Sequence, residues 1–339
     1  VTLLSPYISR GILTLPQVLD VVYNMGYAYR DIEKLLQELA WREFFQRVWF
    51  NKEQHIWSDL KQPQQKVLHH LMLDGIVKTN TGITAIDAQI EQLYETGYMH
   101  NHARMYVAGI TCNIGGAYWL EPSRWMYYHL LDGDIASNTC SWQWVAGAFS
   151  SKKYVANQEN INRYLHSNQR NSFLDHPYES IFDQPVPESL KATTALQLST
   201  ALPSVVFPHL DPNKDVCIYT SYWLNPNWRS EENVERVLLL EPSHFERYPV
   251  SEKVMQFVMD LAKAHIPDIK IYVGSFESLR SKLTPGKRMF FIDHPLHRHF
   301  SGVGDAYPWM FPEVKGAFSS FFGFWKKAER YARKRVEKN

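Results

Sequence analysis

Hydrophobic residues recur with the period of an α-helix through the first half of the chain. Two early segments have apolar residues three and four positions apart, at Leu13, Val18, Val21, Val22 and Met25, and at Ile32, Leu35, Leu36, Leu39 and Phe44. This spacing places an apolar stripe along one face of each helix. Further helices are predicted over 87–94, 99–114 and 125–131, and no segment alternates as a strand does. Residues 1–182 are therefore expected to be helical.

The pattern changes after Phe182. Residues 183–212 contain five prolines with Ser and Thr between them, a composition typical of a linker. Short runs rich in Val, Ile, Tyr and Phe follow at 216–222, 237–240, 269–273 and 289–292, and 251–265 has helical spacing. Strands that alternate with helices indicate a small parallel α/β sheet. We therefore predict a helical domain over 1–182, a Pro-rich linker over 183–212 and a small α/β domain over 213–339.

Composition adds one chemical indication. Aromatic residues make up 14% of the 339 residues, with 11 Trp, which favours aromatic cores or a site that stacks a flat ligand. The formal net charge is +1, so nucleic-acid binding would need a local basic surface. The predicted C-terminal helix over 321–338 ends in a basic run from Arg330 to Lys338.

Cysteine usage and hydropathy point to a reducing compartment. Cys112, Cys140 and Cys217 are widely spaced and lack metal-ligand spacing, so we expect free thiols and no metal site. No apolar run reaches the ~18 residues of a transmembrane helix, and no signal-peptide pattern is present. These features predict a cytoplasmic protein without a membrane partner.

Three segments concentrate polar and aromatic residues. Thr96–Met105 (TGYMHNHARM) places His, Asn and Arg donors on neighbouring helical turns. Leu131–Asn138 (LDGDIASN) is a turn with two carboxylates and an amide, and it leads into Trp142–Trp144 (WQW). Glu38–Phe45 places Glu38, Trp41 and Arg42 on one helix face. Each segment alone also fits an ordinary core in which an Arg–Asp pair lies beside indoles.

Together and in this order, the segments resemble the FAD-binding domain of DNA photolyases and cryptochromes. The resemblance rests on Leu4–Tyr7 (LSPY), Glu38–Phe44 (ELAWREF), Thr81-Gly82, Ile86–Ala88, Thr96–Met105, Asp132–Asn138 and Trp142–Trp144. It implies a mainly α protein whose helical domain holds FAD for light-driven electron transfer, followed here by the small α/β domain.

The resemblance also implies which residues contact FAD. They are Thr2, Leu4, Ser5, Leu35, Arg42, Arg104, Asp132, Asp134 and Asn138. Val1–Ser5 matches the phosphate-contacting segment of the family, and Arg104 with Asp132 matches the ion pair beside the isoalloxazine. Asn138 matches the residue that faces flavin N5, where a neutral amide is the photolyase-like choice.

Electron transfer is assigned to tryptophans by the same resemblance. Trp142 matches the tryptophan nearest the flavin, and Trp119 matches the middle member of the chain. The outermost tryptophan has no clear counterpart, and four residues stay open as substitutes: Trp57, Tyr118, Tyr127 and Tyr128.

The substrate implied by the resemblance is a cyclobutane pyrimidine dimer in UV-damaged DNA. The matching residues are Glu38, Trp41, Asn101, Met105 and Trp144. His102, which departs from the family pattern, and Gln169, near the end of the altered loop, are further candidates for DNA contact. Two indoles can sandwich flat pyrimidines, and a carboxyl group can hydrogen-bond their edges. Glu38, Asn138, Trp142 and Trp119 are the predicted catalytic set, and the activity would be that of a deoxyribodipyrimidine photolyase, a carbon–carbon lyase.

Departures from the family pattern keep a second function open. The α/β segment follows the FAD-binding domain, although an antenna-type α/β domain normally precedes it. Residues 152–162 replace the usual sequence after the WQW element and would reshape the pocket rim. The alternative is a cryptochrome-like blue-light photoreceptor, or a flavin-binding protein without repair activity. A second, antenna chromophore and the oligomeric state stay open.

Overall fold

The computed structural model of the chain describes residues 2–204 and 207–336. Its helices, numbered in chain order, are α1 Ser5–Ser9, α2 Leu15–Asn24, α3 Tyr29–Lys52, α4 Asp74–Val77, α5 Thr84–Thr96, α6 Asn101–Gly109, α7 Leu120–His129, α8 Ile135–Ala146, α9 Gln158–Leu165, α10 Pro242–Arg247, α11 Glu252–His265, α12 Phe276–Ser281 and α13 Phe321–Val336. Its strands are β1 Met72–Leu73, β2 Thr193–Thr194, β3 Asp215–Tyr219, β4 Val234–Leu240, β5 Lys270–Val273, β6 Met289–Ile292 and β7 Val303–Asp305.

The chain divides into two compact units that interleave along the sequence. The first comprises Val1–Glu53, Ala201–Arg247 and Met255–Asn339, and the second comprises Gln54–Thr200 and Tyr248–Val254. This grouping differs from the three predicted segments, because residues 1–53 cluster with the α/β part of the chain. The domain boundaries at 182 and 212 stay a prediction.

The first unit contains a five-stranded parallel sheet in the order β5-β4-β3-β6-β7. All four residues of β6 are buried, as are most of those in β3 and β4, because helices of an α/β fold cover both sheet faces. From β3 the chain proceeds outward to β4 and β5 and then returns to β6 on the other side. This strand order confirms the predicted parallel α/β arrangement.

Helix α13 packs on α3 in the same unit. Its buried residues are Phe321, Phe324, Trp325, Ala328 and Ala332, a spacing that forms one apolar stripe. The predicted helix over 321–338 is observed to Val336. Val1, which begins the predicted phosphate segment, and residues 337–339, with the end of the basic run, lie outside the described residues.

The second unit is built on the helices α4–α9 around one hydrophobic core. That core includes Trp119, Trp125 and Trp142, together with apolar residues of α5, α6 and α8. The predicted helix over 99–114 is observed as α6 followed by a π-helical turn, Ile110–Ile114. Within this turn, Thr111 Oγ1 donates to Val107 O at 2.7 Å.

Two sequence expectations need correction. The helical half contains a short strand, β1, which pairs antiparallel with β2. The Pro-rich stretch is correspondingly not a simple linker over its first part, because β2 belongs to it, Leu190 is buried, and Ser189 Oγ donates to Thr81 O at 2.7 Å. Two-residue strands give no alternation to detect, so the sequence pattern could not indicate them.

Within the described residues, no helix is long and apolar enough to cross a membrane. The three cysteines are buried and free.

Candidate functional site

The ion pair of Arg104 and Asp132 lies where two of the sequence motifs meet. Gly97 ends α5 with φ +71°, a conformation that suits glycine, and its carbonyl accepts a 2.8 Å hydrogen bond from Leu131 N. This bond joins the residue that follows α5 to the turn before α8. Arg104 and Asp132 are consequently brought within reach of each other.

The pair is well held and partly accessible. Arg104 Nη2 donates to Asp132 Oδ2 at 3.0 Å, while Arg104 Nε donates to Met99 O at 2.8 Å. The Asp132 side chain is 4% exposed and that of Arg104 is 21% exposed. Two acceptors fix the orientation of the guanidinium, so the site presents a positioned positive charge that a ligand can approach.

The turn after Asp132 contains the residue that caps the N-terminus of α8. Asp134 caps this helix, because its Oδ1 accepts a 2.7 Å hydrogen bond from Ser137 N. Asn138 Nδ2 donates to Ser123 O at 2.8 Å, which fixes the amide against α7. The segment DGDIASN therefore folds as a helix cap whose side chains are held by local bonds.

Ser137 fits a ligand at this site. Its hydroxyl oxygen is buried and has no hydrogen-bond partner within the described residues. Buried hydroxyls are nearly always hydrogen-bonded in native proteins, so a polar group of a bound molecule is a reasonable partner. Ser137 lies in the same turn as Asp134 and Asn138, and the residues present fit a polar, partly anionic cofactor such as FAD. Sequence reasoning missed Ser137, although it stands inside the recognised motif.

The two predicted electron-transfer tryptophans lie in one core. Trp142 is 2% exposed, Trp119 is fully buried, and both belong to the same hydrophobic cluster of the second unit. Trp119 Nε1 donates to Asp59 Oδ1 at 2.6 Å. Asp59 was not predicted, because no motif or regular spacing connects it to a tryptophan sixty positions along the chain.

The second unit also contains five of the predicted substrate residues. Asn101 is exposed at the start of α6, whereas Met105 packs against the core. His102 stacks on Tyr164 with ring centroids 4.8 Å apart, and Trp144 lies 5.9 Å from the ring of Tyr154.

Gln169, the fifth, is engaged at the start of α5. Its Oε1 accepts hydrogen bonds from Thr84 N at 2.9 Å and from Thr84 Oγ1 at 3.0 Å. Its Nε2 donates to Gly82 O at 2.8 Å. These bonds satisfy backbone groups near the helix start, so this side chain has a structural role. Its contact with DNA stays a prediction.

The remaining candidates belong to the first compact unit. Trp41 stacks face to face on Phe321 of α13, with ring centroids 3.8 Å apart and planes 10° apart. Glu38 is exposed and lies 3.8 Å from Lys34 Nζ, and Leu35 is also exposed. Arg42 Nη2 donates to Ser9 Oγ.

The predicted phosphate-contacting residues begin this unit. Thr2 is exposed, and Leu4 precedes the five-residue helix α1 that starts at Ser5. Both Leu4 and Ser5 are half-buried. Their predicted contacts with FAD stay a prediction.

Residues 35–174 match the family model described as the FAD binding domain of DNA photolyase. This part of the chain is therefore a flavin-binding domain. Over these residues the chain is similar to the photolyase family, which confirms the resemblance stated from the motifs and the assignment of FAD as the cofactor of the domain.

Curated relatives carry the same family name. A deoxyribodipyrimidine photo-lyase of Streptomyces griseus is 31% identical over 149 residues, covering 42% of this chain and 31% of that protein. One from Vibrio cholerae is 32% identical over 160 residues, covering 42% and 32%. One from Escherichia coli is 34% identical over 118 residues, covering 33% and 24%. The chain spans about a third or less of the length of these relatives.

Solved structures give a more limited likeness. A bacterial class III photolyase from Agrobacterium tumefaciens has a TM-score of 0.40 at 22% identity, covering 57% of this chain and 46% of that one. A Synechocystis cryptochrome has a TM-score of 0.40 at 23% identity, covering 48% and 35%. At these values the likeness assigns neither a fold nor a function.

Proposed function

We propose that this protein uses bound FAD for light-driven electron transfer and repairs cyclobutane pyrimidine dimers in UV-damaged DNA. The observation that carries the proposal is the Arg104–Asp132 ion pair inside the segment that matches the photolyase FAD-binding domain. A fixed cation beside the flavin would favour its anionic reduced form, because opposite charge stabilises the charged state.

The proposed cofactor contacts are made by a small set of side chains. Arg104, Asp132, Asp134, Ser137 and Asn138 would hold the flavin and ribityl side. Thr2, Leu4, Ser5, Leu35 and Arg42 are the proposed contacts for the phosphates and the rest of the molecule. When bound and reduced, FAD would supply the electron that splits the dimer. The amide of Asn138 has no acidic proton to give to flavin N5, so the reduced cofactor would keep its charge.

The proposed substrate contacts are Glu38, Trp41, Asn101, His102, Met105, Trp144 and Gln169. A damaged pyrimidine pair is poorly stacked in the duplex, so flipping it out costs less than flipping an intact base. Trp41 and Trp144 would stack on the pyrimidines, and Glu38 would hydrogen-bond to their edges. Trp142 and Trp119 would keep the flavin reduced.

One observation favours the alternative, a blue-light photoreceptor or flavin-binding protein without repair activity. Several proposed substrate residues already have partners within the protein: Trp41 stacks on Phe321, and Gln169 bonds Thr84 and Gly82. While Trp41 stacks on Phe321, that face of its ring is closed to a pyrimidine. Competition between UV-damaged and intact duplex in a filter-binding assay separates the two functions, since only the repair enzyme should prefer damage.

The repair function is tested with reduced protein and a UV-damaged oligothymidylate. Illumination should restore intact thymines, measured by the recovery of absorbance, and a dark sample is the control. Bound flavin is measured in the same preparation from its absorption bands. Reduced, flavin-loaded protein that restores no thymine under illumination would rule out repair, whereas photoreduction without repair would support the alternative.

A further inference from the structure

The side chain of Asp59 joins two aromatic residues of the second unit through one oxygen. Its Oδ1 accepts hydrogen bonds from Trp119 Nε1 at 2.6 Å and from Tyr118 Oη at 3.0 Å. Its Oδ2 accepts a 2.8 Å bond from Gln64 N. The carboxylate is therefore fixed on one side by the backbone and shared on the other by an indole and a phenol.

The side chain of Gln64 holds the backbone around Tyr118 and Trp119 in place. Its Oε1 accepts a 3.0 Å bond from Trp119 N, and its Nε2 donates to Ala117 O at 2.9 Å. Gln64 is buried. Because one buried amide binds the backbone on both sides of Tyr118, the distances between Asp59 and the two rings are held by several bonds.

The rings of Trp119, Tyr118 and His70 follow one another from the hydrophobic core to the protein surface. Trp119 is fully buried, and its ring centroid lies 5.5 Å from that of Tyr118 at an angle of 46°. Tyr118 is half-buried, and its ring centroid lies 4.9 Å from that of His70, which is exposed. Tyr118 thus touches the proposed electron-transfer tryptophan on one side and lies near the protein surface on the other.

We propose that Tyr118 is the outermost electron donor of the chain and that Asp59 accepts its phenolic proton. The proposal rests on the proposed function, because the oxidant is the light-excited, oxidised FAD that takes an electron from Trp142. In this proposal, Tyr118 takes the place of the missing outermost tryptophan.

The step balances in electrons and protons. Trp142 loses one electron to the flavin and regains one from Trp119, which becomes a radical cation. Trp119 regains its electron from Tyr118, while the O–H bond of Tyr118 breaks and its proton forms a new O–H bond with Asp59. The products are neutral Trp119, a neutral tyrosyl radical and a protonated carboxyl group. A thiol or ascorbate in solution then returns a hydrogen atom to Tyr118, and Asp59 releases its proton to water.

A nearby proton acceptor is what this donor needs. Burial is the larger cause, and the hydrogen bond to Asp59 the next, that raises the pKa of Tyr118 to about 12. The phenol therefore keeps its proton in the resting protein at neutral pH and must lose it when it is oxidised. Asp59 Oδ1 lies at hydrogen-bond distance for that transfer.

Two of the other open candidates have different surroundings. Trp57 stacks on Tyr248 with centroids 5.2 Å apart, and Tyr128 Oη donates to the backbone oxygen of Ser199. A backbone carbonyl cannot take up a proton as a carboxylate does. The geometry around Tyr118 supplies both the ring contact with Trp119 and the proton acceptor.

The experiment compares wild-type, flavin-loaded protein with Tyr118→Phe and Asp59→Asn. Samples with oxidised flavin are illuminated without added reductant and frozen for electron paramagnetic resonance, with ring-deuterated tyrosine to assign the radical. Wild-type protein should give a tyrosyl signal that narrows on deuteration, and Tyr118→Phe should lose it. Tyr94→Phe is the matched control, because Tyr94 Oη also donates one hydrogen bond, to Val77 O, and its variant should keep the signal.

Infrared spectroscopy of the carboxyl group tests whether Asp59 accepts the proton. Light-minus-dark infrared spectra should show the C=O band of a newly protonated carboxylic acid, and Asp59→Asn should lack it and form less tyrosyl radical. In wild-type protein, formation of the radical should slow in D₂O, a measurement that does not depend on how well the variant folds.

The outcomes separate this inference from the proposed function. If wild-type protein binds no flavin or shows no photoreduction, the proposed function fails. If the flavin is photoreduced but Tyr118→Phe retains the tyrosyl signal, Tyr118 is not the donor. A tyrosyl radical without the carboxyl band or the D₂O effect would overturn the role of Asp59.

Discussion

At the scale of single residues, the site depends on a cation that is paired but still partly exposed. Arg104 is bonded to Asp132 Oδ2 and to Met99 O, so its guanidinium can present a face to a ligand without losing its orientation. The buried carboxylate of Asp132 stabilises the arginine in this place and is in turn stabilised by it. Stability and cofactor binding are therefore expected to change together when either residue is altered.

We predict that Arg104→Met lowers both the stability of the protein and its affinity for FAD. Removing the guanidinium takes away the cation that pairs with buried Asp132, which costs about 3 kcal/mol. Urea unfolding measures the stability, and flavin fluorescence measures binding. Lys78→Met is the control, because Lys78 pairs with Asp74 at an exposed site, where the loss is about 1 kcal/mol or less. Equal losses in the two variants, with unchanged FAD affinity, would contradict the prediction.

Sequence motifs made one contact of the candidate site predictable, the ion pair of Arg104 and Asp132. Arg104 and Asp132 stand in two motifs whose order and spacing are specific, and the structure places their side chains in contact. Asp59 and Gln64 could not be found in this way, because their bonds to Trp119 cross more than fifty residues of sequence and leave no periodic signal. The stack of Trp41 on Phe321 is equally invisible in the local pattern, since it depends on how α13 packs against α3.

At the scale of elements, a buried ion pair on α3 holds the loop that precedes α13. Arg47 donates to Val314 O at 2.7 Å and to Phe311 O at 2.9 Å, and its Nε donates to Glu43 Oε1 at 3.0 Å. Glu43 accepts from the backbone N–H groups of Met310 and Phe311. One turn of α3 thus satisfies four backbone groups of an irregular loop, which could not be buried otherwise.

We predict that Arg47→Met destabilises the protein far more than the loss of a surface pair. The variant leaves Glu43, whose side chain is 1% exposed, without its cation, at a cost of about 3–5 kcal/mol. Arg333→Met removes an exposed partner of Glu329 and should change the stability little, because solvent screens that pair. Urea unfolding measures both.

The double variant Glu43→Gln with Arg47→Met separates charge from packing. A neutral amide can still accept from the loop but no longer buries an unpaired charge, so the double variant should be more stable than Arg47→Met alone. If it is no more stable, the destabilisation comes from lost packing against Trp309, whose ring lies 4.4 Å from the Arg47 guanidinium carbon.

Element types were largely predictable, and their ends were less so. The helix predicted over 251–265 is observed as Glu252–His265, and the strand over 289–292 is observed with the same bounds. Periodicity identifies such elements because one face is buried along their whole length. The π-helical turn after α6 and the short β1–β2 pair depend on backbone hydrogen bonds rather than on hydrophobic spacing, so they escaped prediction.

At the scale of the whole molecule, the grouping of residues 1–53 with the α/β part could not be predicted from composition. The Pro-rich stretch suggested a break in the chain, but packing across large sequence separations decides which elements form one unit. The bonds from α3 to residues 310–314 are an example, because they join positions more than 260 residues apart. Sequence patterns describe neighbours along the chain and carry little information about such pairings.

The first unit also contains a buried histidine cluster at the carboxyl end of β6. His294 contacts the rings of Trp49, Phe50, Tyr222 and Tyr307, and its ring centroid lies 5.5 Å from that of His297. His297 is bonded on both ring nitrogens, to Ile292 O and to Thr220 Oγ1. The charged or titratable groups around them are His244, Glu241, Asp293, Arg298 and His299.

We predict that this cluster makes the protein less stable in acid. Burial lowers the pKa of His297 to about 4 and that of His294 well below its ordinary value of 6.5. Below pH 6.5 the unfolded chain binds these protons while the folded chain does not, so stability is fully present above that pH and falls towards pH 4. His294→Phe keeps a ring in the cluster and should flatten the decline by up to ~1.4 kcal/mol per pH unit. Urea midpoints measured between neutral pH and pH 5 check this, and an unchanged slope in His294→Phe would show that other groups cause the acid sensitivity.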